Sequence, residues 1–419
     1  MPAPKPESVD IITYEVGFGD CFLLRIHYPG QTRSRSVLID FGSTQKNNFS
    51  LGQVSQKIKS DCGGKLDVVV ATHRHKDHVH GFTLSSKNRG TGKVIRDLQP
   101  GAVIMPWTED PDADPKARQP TKRYSAHEKS LVKRLGNMQA LAGALAEQSK
   151  MFTFAGEKGI RTQLKALGEN NLGNASAMKN LRTMSPRTYY AYHNMKLRLS
   201  RELPGVKVHV LGPPTLKQSA AIEKQRSRDQ DEFWHLQASA AHEALDPLQL
   251  FPNAREIKNP VWGRWTRRRL RKARGEELLS IVRSLDHAMN NTSLILLFEI
   301  GNKKLLFPGD AQYENWMYCL EKKWVKDLLR GVDVYKVGHH GSLNATPKTM
   351  LGLFQKTRSQ HPGEVMHSLL STKAGVHGSV DNQTEVPRGK LVNKLTQETQ
   401  LTSTQNFDGE ISRMISLEV

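Results

Sequence analysis

A chain of 419 residues with 37% hydrophobic content can bury a full core, and it holds no run approaching the roughly 18 consecutive apolar residues of a membrane span. Cys21, Cys62 and Cys319 are odd in number, far apart and without a CxxC pair, which argues against a disulfide framework or a cysteine-built zinc site. The 61 basic residues against 41 acidic ones give a formal charge of +20, which attracts polyanions, nucleic acid first among them; the opening "MPAPKPESVD" has no basic segment leading into an apolar core, so a soluble, cytoplasmic protein is expected.

From the N-terminus, "VDIITYEV", the glycine turn "GFGD", "CFLLRIHY", the polar tip "PGQTRSRS" and "VLIDFGS" read as β-structure. "KLDVVVATH" is a short continuous apolar run, which suits a strand covered on both faces. "GAVIMP" and "VKVHVLGPP" predict further strands, and "SLILLFEI" and "KKLLFPGD", joined by "GNK", predict a hairpin. "VDVYKVGHHGS" is again strand then loop, and "VMHSLLST" and "EISRMISLEV" supply closing strands. Leu131, Leu135, Met138, Ala142 and Leu145 recur at helical spacing, predicting an amphipathic helix over residues 127–148. A second long segment contains "RWTRRRLRKARGEELLSIVRSL". Strands interrupted by helical stretches predict one domain over residues 1–419, with helical insertions at about 107–200 and 215–285.

Chemistry concentrates in "ATHRHKDHVHGF", residues 71–82, at the end of the buried "LDVVV" strand. His73, His75, Asp77 and His78 form H-x-H-x-D-H. Imidazole and carboxylate are good zinc ligands, and residues this close in an extended loop cannot all face one ion, so the cluster suggests two ions sharing a rim.

That motif, after a buried strand, resembles the signature of the metallo-β-lactamase superfamily. "VLIDFGS", "LLFPGDAQ" and "VYKVGHHGS" resemble its other landmarks, in order, over residues 10–342. "GFGDCFLL", "NNTSLILLFEIGNKKLLFPGD" and "KVGHHGS" are most similar to the competence, or ComEC-type, branch, without its membrane channel, so DNA uptake is not implied. The resemblance implies an α/β fold, the four-layer αββα metallo-β-lactamase sandwich with helical insertions. It implies two divalent metal ions, zinc foremost and manganese as the alternative. His73 and His75 would hold the first ion, Asp77, His78 and His339 the second, and Asp310 would bridge. His340 would replace His339 or donate a proton. Asp20, after the "GFGD" turn, and Asp40 would support the metal loop, Asp40 by orienting a ligand histidine.

The chain departs from the superfamily pattern at "VKVHVLGPPT", where a proline stands in place of a third histidine for the first ion. His209, earlier in that strand, reads as packed or solvated, and Asp286, His287 or Asn291 are alternatives for the open position. His80 reads as supporting or surface. His377 stands where the competence-type tail has a His-Pro pair, but it precedes glycine.

A pair of bound cations would make an activated water available near neutral pH, with Asp77 and Asp310 orienting it and His340 supplying a proton to the leaving oxygen. The same centre would open a phosphodiester, a lactone or a thioester, so charge must choose the substrate. Arg264, Arg267, Arg268, Arg269, Arg271, Lys272 and Arg274, with Trp262 and Trp265 nearby, suit phosphates and unpaired bases. The expectation is a metal-dependent phosphodiesterase, a nuclease acting on DNA or RNA. The alternatives are a small-molecule hydrolase acting on a lactone or cyclic nucleotide, and a scaffold subunit with a vestigial metal site whose basic insertion docks a protein partner.

Overall fold

The structure, a computed structural model, describes residues 4–45, 47–85, 89–113, 124–148, 174–219, 288–342, 345–376 and 385–419, with side chains omitted for 138–148. The arginine-rich run at 264–274, Trp262, Asp286, His287 and His377 lie outside the described residues. The chain divides into two compact units, one of residues 1–134, 173–222 and 289–419, the other of 135–172 and 223–288.

The first unit holds two mixed sheets. The seven-stranded sheet has the order β13-β1-β2-β3-β4-β5-β6. Its strands are β1 (Ser8–Tyr14), β2 (Cys21–His27), β3 (Arg35–Phe41), β4 (Val68–Val70), β5 (Ala102–Pro106), β6 (Thr188–Ala191) and β13 (Ser412–Glu418). The six-stranded sheet, β12-β11-β10-β9-β8-β7, comprises β7 (Val206–Gly212), β8 (Ile295–Ile300), β9 (Lys303–Phe307), β10 (Val334–Lys336), β11 (His367–Leu370) and β12 (Gln400–Ser403).

Alternation along the strands builds the core. Ile11, Leu24, Ile39, Val68 and Ile104 of one sheet and Val210, Leu296, Phe298, Leu305 and Val334 of the other belong to a single buried cluster, so the two sheets pack face to face. Burying each such side chain contributes about 1.5–3 kcal/mol. The residues between them face outward into two further clusters. Tyr14, Leu23, Leu38 and Val69 pack with α1 (Leu51–Asp61), α3 (Thr91–Asp97) and α5 (Ala175–Thr183). Leu297, Leu306, Tyr335 and Leu370 pack with α6 (Tyr313–Leu320), α7 (Lys323–Arg330), α8 (Lys348–Leu351) and α9 (Gly389–Glu398). Two further α-helices are the short α2 (Lys76–Val79) in the histidine loop and α4 (Ala126–Gln148), which falls on the predicted amphipathic helix.

The stretch 107–200 is not helical throughout. It ends in α5 and then β6, a four-residue strand added in parallel to β5. "TYYA" is too short to show a period of its own, and it becomes a strand because β5 offers an open edge. The directions of the strands matter more for function: β3 to β6 are mutually parallel, as are β9 to β12, so the chain leaves β3, β4, β9, β10 and β11 toward loops that meet.

Candidate metal centre

The histidine loop is stitched in place before any side chain reaches the centre. The Thr72 amide donates to Asp40 Oδ1 and its hydroxyl to Asp40 Oδ2, both at 2.7 Å, and the Leu294 amide donates to the Thr72 carbonyl at 2.9 Å. His75 caps α2, accepting from the His78 amide at 3.0 Å. On the other side the Asp20 amide donates to the Asp77 carbonyl at 2.9 Å, and Gly42 donates to the Asp20 carbonyl at 3.1 Å. The approach of β3's end to this loop requires glycine: a Cβ on Gly42 would lie 2.4 Å from the Asp77 carbonyl carbon and 2.5 Å from the His78 amide nitrogen.

Three overlapping groups of ligand-type side chains result, each with its donor atoms within 4.8 Å of one another. One is His73, His75 and Asp77, a second is Asp77, His78, Asp310 and His340, and a third, behind them, is Asp20, Asp40 and His78. Asp77 belongs to the first two. Every member is buried, none more than 2% exposed.

Three of the histidines have their tautomer set from behind. His73 Nδ1 lies 3.2 Å from the Thr72 hydroxyl oxygen, whose own proton goes to Asp40. His78 Nδ1 is 2.8 Å from Asp40 Oδ2, and His340 Nδ1 is 2.9 Å from the Ser371 carbonyl. With the proton held on Nδ1, each ring turns Nε2 to the centre. His73 Nε2, His78 Nε2, Asp77 Oδ1 and Asp310 Oδ2 are buried and make no hydrogen bond. His78 Nε2 and Asp310 Oδ2 stand 3.0 Å apart without hydrogen-bond geometry. Unpaired buried polar atoms cost about 1–3 kcal/mol each, and atoms so arranged are what coligands of one ion require. The donor set of imidazole and carboxylate suits a divalent transition metal.

The electrostatics agree. Burial would raise Asp77 and Asp310, but His78 foremost outweighs it and holds both carboxyls below the usual carboxylate range. Burial opposes charge on His78 and His340, yet the carboxylates, led by Asp310, push both imidazoles upward. His73 goes the other way, driven well down by burial and by its neighbours His78 and His75. Without metal, protons balance part of the carboxylate charge, so a cation entering here displaces them.

Lys336, in the apolar strand β10, is 1% exposed. Its ammonium donates to the Gly309 carbonyl at 3.0 Å, lies 3.3 Å from Asp310 Oδ1 and pairs with Asp20. Burial would lower its pKa, but Asp20 and Asp310 outweigh burial and keep it charged. Sequence reading missed this residue; the signal was a lysine inside a buried strand, one that only an acidic pair could tolerate. A second missed support lies across the loop, where Arg74 forks onto Glu109, Arg182 reaches the same carboxylate, and Asn174 donates to the Arg74 carbonyl at 2.9 Å.

Of the expected residues, His73, His75, Asp77, His78 and Asp310 come together, and of the two neighbouring histidines it is His340 that joins them. His340, expected either to replace His339 or to donate a proton, is fully buried in the ligand group against the Phe18 ring, with centroids 4.2 Å apart. His339, expected as the ligand, is half-buried with Nδ1 2.9 Å from the Ser342 hydroxyl, and it meets Asp310 through its backbone amide at 3.1 Å. Both have positive φ, 44° and 52°, a turn that sends adjacent side chains apart. Asp40 orients His78 as expected. Asp20 sits beside the centre through Lys336 and 3.6 Å from His78 Nδ1, with burial pushing its pKa up and Lys336 opposing. Asn291 donates to Glu314 at 2.9 Å, and its buried Oδ1 makes no hydrogen bond. His209 pairs with Glu299 at 3.2 Å and joins no ligand group. His80 is half-buried, with its imidazole lowered by burial.

No protein-family model matches the chain, and no curated protein matches it.

Proposed function

We propose that this protein is a metal-dependent hydrolase of the metallo-β-lactamase superfamily, of the competence (ComEC-type) branch and αββα layering, acting as a phosphodiesterase on DNA or RNA. The observation that carries this reading is the convergence of the unpartnered His73 and His78 Nε2 atoms and Asp77 and Asp310 carboxylate oxygens, from the ends of β4 and β9, on one buried centre that His340 joins from the end of β10. The residues that would hold a pair of divalent ions are His73 and His75 on one side and His78 and His340 on the other, with Asp77 and Asp310 between them. Bound there, such ions supply an activated water and neutralise charge on phosphoryl oxygens. Asp40, Thr72 and the Ser371 carbonyl fix the ring faces, and Lys336 fixes the Asp310 carboxylate. His340, enclosed with Nδ1 on the Ser371 carbonyl and Nε2 3.0 Å from Asp77 Oδ2, would ligate by exchanging that contact with Asp77 for the ion, and its burial disfavours a role in delivering a proton. The formal charge of +20 favours a polyanionic substrate over a lactone or thioester.

The test combines metal analysis with cleavage of labelled single- and double-stranded DNA and RNA in zinc or manganese. Close to two equivalents of metal and cleavage abolished by Asp77→Ala and Asp310→Ala are expected. Cleavage that survives both substitutions overturns the reading. Bound metal without phosphodiester cleavage moves it to a small-molecule hydrolase, and no bound metal moves it to a scaffold subunit.

A further inference from the structure

The excess positive charge is not concentrated around the arginine run. Residues 220–287, which contain that run, carry thirteen basic and ten acidic side chains and nearly cancel, whereas residues 174–219 carry eight basic side chains and one acidic, Glu202. Three of the eight are committed, Arg182 to Glu109, Arg187 to Glu202 and Lys207 to Glu299. Lys196, Arg198 and Arg201 are exposed and make no ion pair or side-chain hydrogen bond among the described residues.

These three lie on the connection 192–205, which carries the chain from β6, at the edge of one sheet, to β7, at the edge of the other. Burial alternates along it. Met195, Leu197 and Leu199 pack onto the core between the sheets, while Lys196, Arg198, Ser200 and Arg201 face solvent. That period belongs to an extended chain as far as Leu199, so Lys196 and Arg198 project to one side about 6–7 Å apart, and Arg201 is exposed in the turn that follows. The row is held in place: the Tyr189 hydroxyl donates to the Arg198 carbonyl at 2.9 Å and the Leu203 amide to the Leu199 carbonyl at 2.7 Å. Since β6 is parallel to β4 and β5, the connection begins at the sheet end from which the histidine loop leaves. It closes at the opposite end, where a Cβ on Gly205 would lie 2.6 Å from the Pro4 carbonyl.

We infer that Lys196, Arg198 and Arg201 form a track for the sugar-phosphate backbone of a nucleic acid, running from the metal end along the edge of the two sheets. A membrane or a protein partner would need apolar anchors. The exposed large hydrophobic residues among those described are Tyr313, Met317 and Met414, none of them in this segment. Exposed cations on an anchored backbone, without an apolar anchor, suit a regular polyphosphate, whose affinity comes largely from counterion release. Only the identity of what lies at the head of the track rests on the phosphodiesterase reading, and the test is run without turnover.

Binding of fluorescein-labelled single-stranded and duplex DNA oligonucleotides to the full chain is measured by anisotropy in EDTA over a series of salt concentrations. Three proteins are compared: wild type, K196E/R198E/R201E, and a control of equal charge change, K323E/K348E/K390E, on the helices outside the six-stranded sheet. Thermal melts check folding, and K196Q/R198Q/R201Q provides a milder variant. The track variants are expected to bind about tenfold or more weakly at 0.1 M salt and to flatten the slope of log K against log salt by roughly 2, at ~0.7–0.9 for each phosphate no longer neutralised. The control should retain most of the slope. An unchanged slope in folded track variants, an equal loss in the control, or wild type failing to bind either oligonucleotide overturns the inference. Binding that follows these expectations in a protein that cleaves neither DNA nor RNA in zinc or manganese would count only against the catalytic reading.

Discussion

Lys336→Met tests the electrostatic construction of the centre most directly. Methionine keeps the length and the apolar stem but removes an ammonium that stands between Asp20 and Asp310, both buried to about 1% or less. Removing one partner of a buried ion group leaves uncompensated charge and costs about 3–5 kcal/mol. Here two carboxylates lose the same cation, which argues for the upper end of that range. Losing the Lys336 charge removes one of the groups that hold Asp310 below its usual range, while His78, the largest of them, remains. Guanidinium unfolding in EDTA should place Lys336→Met about 3–5 kcal/mol below wild type, and excess zinc should recover part of that gap by supplying positive charge beside Asp310. Adding Asp20→Asn should also recover part of the loss, because it removes the second unpaired charge. A Lys336→Met protein within about 0.5 kcal/mol of wild type, the scatter of an ordinary surface substitution, would refute the reasoning, and so would further loss on adding Asp20→Asn.

Zinc titration calorimetry should separate the two adjacent histidines: His340→Ala should lose one class of site, whereas His339→Ala should keep both stoichiometry and affinity within a few-fold. Asp40→Asn, which removes the carboxylate behind His78 but keeps its size, should weaken metal binding about 10–100-fold in the same titration. Gly42→Ala forces a Cβ into the backbone at Asp77 and His78; denaturant unfolding should show a loss of about 1–3 kcal/mol or more, with reduced metal content. Asp10 on β1 accepts from Ser416 of β13 at 2.6 Å and pairs with Arg25 and His27, and these partners hold its carboxyl below the ordinary value although burial opposes them. Its stabilisation is present above the unfolded value near 4 and is lost as pH falls through the lower folded value. Asp10→Asn should therefore cost about 1.5–3 kcal/mol at pH 7, and unfolding curves of the two proteins should converge as the pH drops below about 4.

Much of this protein was legible because its chemistry is local. The continuous apolar run before His73 marked a strand covered on both faces, β4, and the spacing of His73, His75, Asp77 and His78 marked a loop whose side chains could hold a metal. The glycine turn before Cys21 and the aspartate ending β3 were visible for the same reason: a turn and a strand end are properties of a few neighbouring residues. Tertiary structure decided the rest. Which of two adjacent histidines enters the centre depends on the positive φ values after β10 and on the Ser371 carbonyl 31 residues away. Lys336 looks like a misplaced charge until β9 and the Asp20 turn bring their carboxylates to it. β6 exists only because β5 has an edge to fill, and the unpaired cations of residues 196–201 become a row only because the connection they sit on is stretched between two sheet edges. Sequence sets what each side chain can do within its own few residues. Partners distant in the chain meet only when the sheets close, because burial without a partner is what each of these polar groups cannot sustain alone.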